Sequence, residues 1–491
     1  MRRTQSILVI LGAFWLLGET AYCVELLQPE AMQQDVALLE QVLLTVHPGS
    51  LRYNTPASLQ ANLQSLRAKL DQPADVGQAY LAFSEFTVTL HCGHTFLNLV
   101  NQNEKVAAAL AGNRRPWPIT FIWFNKKMLI TGVADDGVAI NVGDQIVSVN
   151  GVPTATLLQR LRGIAAYDGE NSLAGDASIG KWDLNKLEPF DIFLPLIETS
   201  AGTSLSLELS AAGGTVLKSV TLDLSRNRPA QLANHDNSQS TSPWDLQFPS
   251  KDLAVLRMPT WAVYNSKFDW KQSLASSFQS VIEQHTNNLV IDLRSNAGGL
   301  DVGTEIATYL IPHELPLESH QRLVRFQKIP DSIKPYLKTW DASFYDWSDL
   351  TGSFDGRFYT VKSEANNSQV LVPKPLHFDG KVFVIVGPEN SSATFQFASL
   401  IKKYHLGTLV GQPTGGNQQG INGGAFFFLN LPNTGIEIDI PILLQTEGEH
   451  PADNLATGIQ PDILVSPVPE LIANKVDQDM KAIRTVIGNI N

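Results

Sequence analysis

Asn288-Leu289-Val290-Ile291-Asp292-Leu293-Arg294-Ser295-Asn296-Ala297-Gly298-Gly299 is the stretch on which the reading of the fold turns. A short apolar run with a polar, glycine-rich exit reads as a strand buried on both faces of a sheet. In open α/β sheets ligand chemistry gathers outside the carboxyl ends of such strands. Glycines at that edge let backbone N–H groups come close to a substrate oxygen. A lone Gly-Gly pair equally fits an ordinary strand-to-helix turn, so the stretch takes its meaning from its neighbours.

Toward the C-terminus, Val382-Phe383-Val384-Ile385-Val386-Gly387 is a second buried strand. It runs into Pro388-Glu389-Asn390-Ser391-Ser392-Ala393-Thr394 and then an apolar helix from Phe395 to Tyr404. A serine at such a junction has its N–H at the positive end of the helix and its hydroxyl at the sheet edge. Helix capping by Ser391 or Ser392 is the commoner use of such a residue. A third strand with a glycine-rich exit runs through Thr408-Leu409-Val410-Gly411-Gln412-Pro413-Thr414-Gly415-Gly416-Asn417, and Thr457-Gly458-Ile459-Gln460-Pro461-Asp462-Ile463 precedes a final strand and helix. With Leu253 to Met258 as a strand and Phe268 to Gln284 as a helix, the alternation predicts βαβ units across 250–491.

Toward the N-terminus the pattern changes. Met32, Val36, Leu39 and Leu43, then Leu59, Leu63, Leu66 and Leu70, then Tyr80, Phe83, Val88 and Leu90 recur at helical spacing. They predict packed helices over 24–113 that feed the turn His91-Cys92-Gly93-His94-Thr95. Alternating strand-like runs fill 114–225: Ile119 to Phe124, Met128 to Val133, Ile146 to Val149 before Asn150-Gly151, Leu205 to Leu209 and Val216 to Leu224. The Asn-, Ser-, Gln- and Pro-rich stretch 226–249 reads as a linker or exposed loop.

The 491 residues exceed one ordinary core and predict two or three domains. Lys+Arg 36 against Asp+Glu 48 leaves a net charge of −12 without a basic face, which excludes a nucleic-acid partner. Arg2 and Arg3, the apolar run Ile7 to Leu17 and Ala21-Tyr22-Cys23 make residues 1–23 a secretory signal peptide; the run is shorter than the ~20 residues needed to span a bilayer. The expectation is an exported soluble protein, secreted or periplasmic, without a membrane span after cleavage. Cleavage after Cys23 leaves Cys92 as the one thiol, which excludes an internal disulfide and cysteine-rich metal sites.

Together and in this order, these segments resemble the tail-specific (C-terminal processing) proteases and the tricorn core. The resemblance covers most of the mature chain and implies a multidomain α+β and α/β fold: a helical cap, a PDZ-like β-rich module and an α/β serine peptidase domain. Gly143-Asp144-Gln145-Ile146 through Asn150-Gly151 is the matching stretch of the module. Carried over by position, Ser392 is the nucleophile because the family's serine is followed by alanine, here Ala393. The N–H groups of Ala393 and of Gly298 or Gly299 make the oxyanion hole. No cofactor or metal is implied, and the partner is a peptide or unfolded protein segment, held by the module as an added strand.

The sequence departs from the family in ways that bear on chemistry. The general-base lysine of tail-specific proteases falls at Asn417, and Lys402 and Lys403 lie about three turns along the serine helix. The tricorn-like branch uses a histidine from the cap instead, and His94 occupies that place, with an imidazole suited to accepting a hydroxyl proton. The expected glutamate before Gly-Ile-Gln-Pro-Asp is replaced by Leu455-Ala456-Thr457. Glu447, Glu449 and Asp453 are the substitutes nearby, unranked, and Phe395 stands where an acid is usual. Cys92 reads as a small buried thiol rather than a nucleophile. The alternative function is a catalytically inactive relative that binds peptides or apolar ligands, as the photoreceptor retinoid-binding protein uses the same architecture for carriage.

Overall fold

Helical periodicity produces helices from the first described residues onward. Pro29–Thr45 buries Met32, Val36, Leu39 and Leu43 along one stripe. Pro56–Lys69 and Val76–Val88 begin at Thr55 and Asp75, each closing a reciprocal capping box that satisfies backbone N–H groups at the helix start. Glu104–Ala111 is a fourth helix, capped by Asn103. The computed structural model describes residues 26–112, 114–134, 139–198, 204–212, 214, 217–226, 242–264, 266–317, 321–362, 370–446 and 455–488. The leader 1–23 and the candidate acids Glu447, Glu449 and Asp453 lie outside the described residues.

The alternating runs that follow form one antiparallel sheet. Its strand order is Ile119–Phe124, Lys127–Val133, Gln145–Val149, Ser204–Ser210 and Leu217–Asp223, with Val152–Pro153 pairing to the third. Asn150 and Gly151 both have positive φ, the conformation a tight hairpin turn demands and Asn-Gly supplies. Helices Thr154–Arg162, Ser172–Ser178 and Pro189–Ile197 accompany this sheet.

The C-terminal half centres on a six-stranded sheet in the order Ile463–Leu464, Thr408–Gly411, Lys381–Val386, Asn288–Asp292, Leu253–Arg257, Asp245–Ser250. Every neighbouring pair is parallel except the last. Asp245–Ser250 corrects the expected linker 226–249: its end is the sheet's edge strand, because Leu246 and Phe248 pack onto the core from an otherwise polar stretch. Ile385 lies opposite Asp292 and Val386 opposite Gly411, so the three glycine-bearing exits emerge side by side.

Besides the pairing of Leu315–Pro316 with Val370–Leu371, two further sheets had no counterpart in the sequence reading. One pairs Leu337–Lys338, Phe426–Asn430 and Glu437–Pro441, and the other joins Thr351–Ser353, Tyr359–Val361, Gln321–Val324, Leu444–Thr446 and Ile421–Asn422. Phe326, Phe427, Leu429, Ile438 and Ile440 share one core with the N-terminal helices and the antiparallel sheet, whereas the six-stranded sheet carries its own. Among the described residues no helix is long and apolar enough to cross a membrane.

Candidate active site

The exit of strand Lys381–Val386 is a strained turn. Ser391 is extended and its hydroxyl donates to Ala297 O at 3.1 Å, so it does not cap the helix behind it. Ser392 opens helix Ser392–Lys403 with φ +52°, a left-handed conformation that costs a non-glycine residue about 1–3 kcal/mol. A serine held this way on a strand-to-helix turn has its hydroxyl thrust out at the sheet edge. The turn is over-determined by buried amides. Asn390 Nδ2 donates to Leu293 O at 2.7 Å and Asn296 O at 2.9 Å, while its Oδ1 accepts from Gly387 N at 2.7 Å. Thr394 Oγ1 donates to Asn296 O at 3.0 Å, and Asn296 Nδ2 to Met258 O at 2.7 Å.

These bonds clamp the two strand exits together, and Gly298 is what permits it. A Cβ at Gly298, where φ is +104°, would sit 2.9 Å from Ser392 Cβ and 3.0 Å from Ala393 N. The N–H of Gly298 is engaged, donating to Asn296 Oδ1 at 3.0 Å. Its carbonyl accepts from Trp261 N at 3.3 Å. Because that peptide unit is planar and trans, the Gly299 N–H points away from Trp261. Ala393 N–H lies in the first helical turn, where no intrahelical acceptor exists. Of the three N–H groups expected at an oxyanion hole, that of Gly298 is engaged by Asn296, while among the described residues those of Ala393 and Gly299 make no hydrogen bond.

His94 sits on the turn after the third helix. Gly49 N donates to His47 Nδ1 at 2.9 Å, which leaves the His47 proton on Nε2, facing Thr95 Oγ1 at 2.6 Å. Burial pushes His47 down to a pKa of about 3, so it stays neutral while anchoring the turn. On the other side stands Asp168. Gly93 N donates to its Oδ1 at 2.8 Å, and its Oδ2 lies 4.0 Å from His94 Nδ1; the two side chains are 7% and 15% exposed. A Cβ on Gly93 would come within 2.8 Å of Asp168 Oδ2, so the glycine admits the carboxylate. His94 Nδ1 is buried without a hydrogen-bond partner among the described residues, and the Phe426 ring lies 5.8 Å from the imidazole. Cys92 is a buried thiol that burial pushes up to about 11, with Asn422 Nδ2 donating to its sulfur at 3.4 Å; it is no nucleophile.

The segment carrying Asp168 ties this turn to the serine. Gly169 N donates to His91 O at 3.0 Å, and Asn171 Nδ2 donates to Thr414 O and Gly416 O at 2.9 Å each. Cβ atoms on Gly415 and Gly416 would run into Asn390 O and the Phe395 ring, so the loop from Thr414 lies directly against the serine turn. Asn417 is buried there, its Nδ2 on Tyr53 Oη and its Oδ1 accepting from Gln419 N at 2.9 Å. Lys402 is bound to Asp462 at the far end of the serine helix, and Phe395 is core. Among the described residues no hydrogen bond joins His94 to Ser392, and no three His, Cys, Asp or Glu side chains are grouped to hold a metal ion. The sequence reading missed Asp168, Asn171, Asn296 and Asn390, none of which stands in a motif of its own.

Residues 252–465 match the sequence profile of peptidase family S41. Among solved structures, the chain is similar in fold to mature CPAF complexed with lactacystin: 16% identity, 93% of this chain and 97% of that one covered, TM-score 0.62. Mature CPAF without that compound gives 16% identity, 91% and 94% coverage and a TM-score of 0.60. The photosystem II D1 C-terminal processing protease gives 16% identity, 90% and 94% coverage and a TM-score of 0.40. No curated protein matches the sequence.

Proposed function

We propose that this chain, a member of peptidase family S41 through residues 252–465, is an exported serine endopeptidase that cleaves peptides or unfolded protein segments. The observation that carries the reading is the serine turn: Ser392 is held left-handed at a helix start, with Gly298 packed against its Cβ. Ser392 Oγ attacks the scissile carbonyl while His94 accepts the hydroxyl proton. Negative charge on the substrate oxygen is met by Ala393 N–H and Gly299 N–H, a donor pair of which each member is worth about 2.7–4 kcal/mol to the transition state. His94 then returns the proton to the leaving amine, and water resolves the acyl-enzyme by the reverse sequence. The leader-like residues 1–23 support a secreted or periplasmic site of action, and the antiparallel sheet of 114–225 is assigned to capturing an extended segment.

One observation favours a second reading, an inactive relative that binds peptides or apolar ligands. Asn417 fills the lysine position as a buried, hydrogen-bonded amide, which cannot accept a serine's proton. Both readings meet in one experiment: digestion of an unfolded protein and a mixed peptide library by the mature chain, beside Ser392→Ala, His94→Ala, Ser391→Ala and Asn417→Lys. The expected result is cleavage that vanishes in Ser392→Ala and His94→Ala and persists in Ser391→Ala. Cleavage that survives Ser392→Ala defeats the assignment. An inert wild type that gains activity in Asn417→Lys establishes the binder.

A further inference from the structure

We infer that Asp168, contributed by the segment between the antiparallel sheet's strands rather than by the peptidase domain, is the carboxylate that positions His94. The inference rests on the peptidase reading and deepens it. No residue of the expected glutamate's place serves, since Leu455-Ala456-Thr457 fills it.

Three observations converge. The first is an orphan: His94 Nδ1 is buried without a hydrogen-bond partner among the described residues, a costly state for a polar atom unless a partner is at hand. The second is the group facing it. Asp168 Oδ2, itself 7% exposed in its side chain, lies 4.0 Å away, and catalytic hydrogen bonds are often long before substrate closes the site. The third is fixation. Asp168 Oδ1 is held by Gly93 N at 2.8 Å, one residue from His94 in sequence. The two residues that follow it are clamped: His91 Nδ1 meets Gly169 O at 2.7 Å, and Glu170 N donates to Ala456 O at 2.9 Å.

The geometry leaves one oxygen of Asp168 for the turn's backbone and the other for the imidazole. A carboxylate at Nδ1 keeps the proton on that nitrogen and leaves Nε2 bare to accept the Ser392 proton. When the proton arrives, the imidazolium forms beside the Asp168 carboxylate. Asp168 is thus a positioning residue that acts through His94. The part of the chain read as a substrate-holding module thereby completes the catalytic group as well.

The test is Asp168→Asn in the full mature chain, which preserves an oxygen for Gly93 N and removes the charge. Two readouts are taken: peptide cleavage, and the ¹⁵N NMR signals of the His94 ring, assigned by comparison with His94→Gln. The expected result is a loss of about 10³-fold or more in kcat, with the His94 tautomer moving from Nδ1–H toward Nε2–H. Asp168→Glu, which keeps the charge, should recover part of both and guards against a variant that fails to fold. An unchanged tautomer in Asp168→Asn overturns the inference, as does a tautomer that responds instead to Glu447→Gln, Glu449→Gln or Asp453→Asn. A wild type that cleaves nothing, yet whose His94 tautomer still depends on Asp168, leaves the positioning role standing and removes the peptidase reading alone.

Discussion

At Gly298 the chain has room for a hydrogen atom and nothing larger. A methyl group there would press on Ser392 Cβ at 2.9 Å and Ala393 N at 3.0 Å, and φ +104° is hostile to any L side chain. Gly298→Ala should therefore lower the thermal midpoint, since left-handed backbone alone costs about 1–2 kcal/mol. If Ser392 is the nucleophile, as proposed, the substitution should also cut kcat/KM about 10²-fold or more, because displacing that serine by an ångström costs that much. An alanine variant with the wild-type midpoint and rate would mean that the serine turn is looser than its buried Asn390 and Asn296 bonds imply. Ser392, the glycines beside it and His94 can be singled out in the sequence as candidates because each falls at a fixed place in a motif. Asp168 was not, because it meets the His94 turn only through packing between segments 75 residues apart along the chain.

Among the elements, the hairpin Phe426–Asn430 with Glu437–Pro441 shows why some strands escape a sequence reading. Phe426, Phe427, Phe428 and Leu429 are a continuous apolar run without period-two alternation. The structure explains it: Phe427 and Leu429 enter the core, while Phe426 and Phe428 meet the exposed Trp340 ring at about 6 Å on the other face. The same hairpin carries a pH response. Asp439 is buried between Asn98 Nδ2 at 3.2 Å and Asn101 Nδ2 at 3.3 Å, and burial raises its pKa to about 7. A raised folded-state pKa means the folded protein holds this proton longer than the unfolded chain. Its stabilising contribution is full below the ordinary aspartate pKa and is lost as pH rises through about 7. Asp439→Asn should abolish that component. The urea midpoint of the wild type, relative to the variant, should fall between pH 4 and pH 8, and a constant difference would show that Asp439 is already ionised in the fold.

For the whole molecule, the two largest hydrophobic cores cut across the boundaries that sequence suggests. The expected peptidase domain 250–491 is continuous in sequence, and its βαβ alternation was readable strand by strand. Yet Phe326, Ile329, Phe427, Leu429, Ile438 and Ile440 leave the six-stranded sheet's core and join that of the N-terminal helices and the antiparallel sheet. No local pattern could have announced this, since an apolar residue carries no label for the core that will bury it. The residues proposed for catalysis divide along the same line. Ser392 and Gly299 belong to the sheet with its own core, while His94 and Asp168 stand on the side of the shared one. Native proteins open in cooperative units whose members share stabilising buried contacts. Native-state hydrogen exchange in mild denaturant should thus release the amides of 426–430 and 437–441 together with those of helices Pro29–Thr45 and Val76–Val88. The strands Asn288–Asp292 and Lys381–Val386 should form a separate group. If the hairpin instead exchanges with those two strands, segment 250–491 opens as one body, and the Ser392 and His94 sides do not separate along the boundary between the cores.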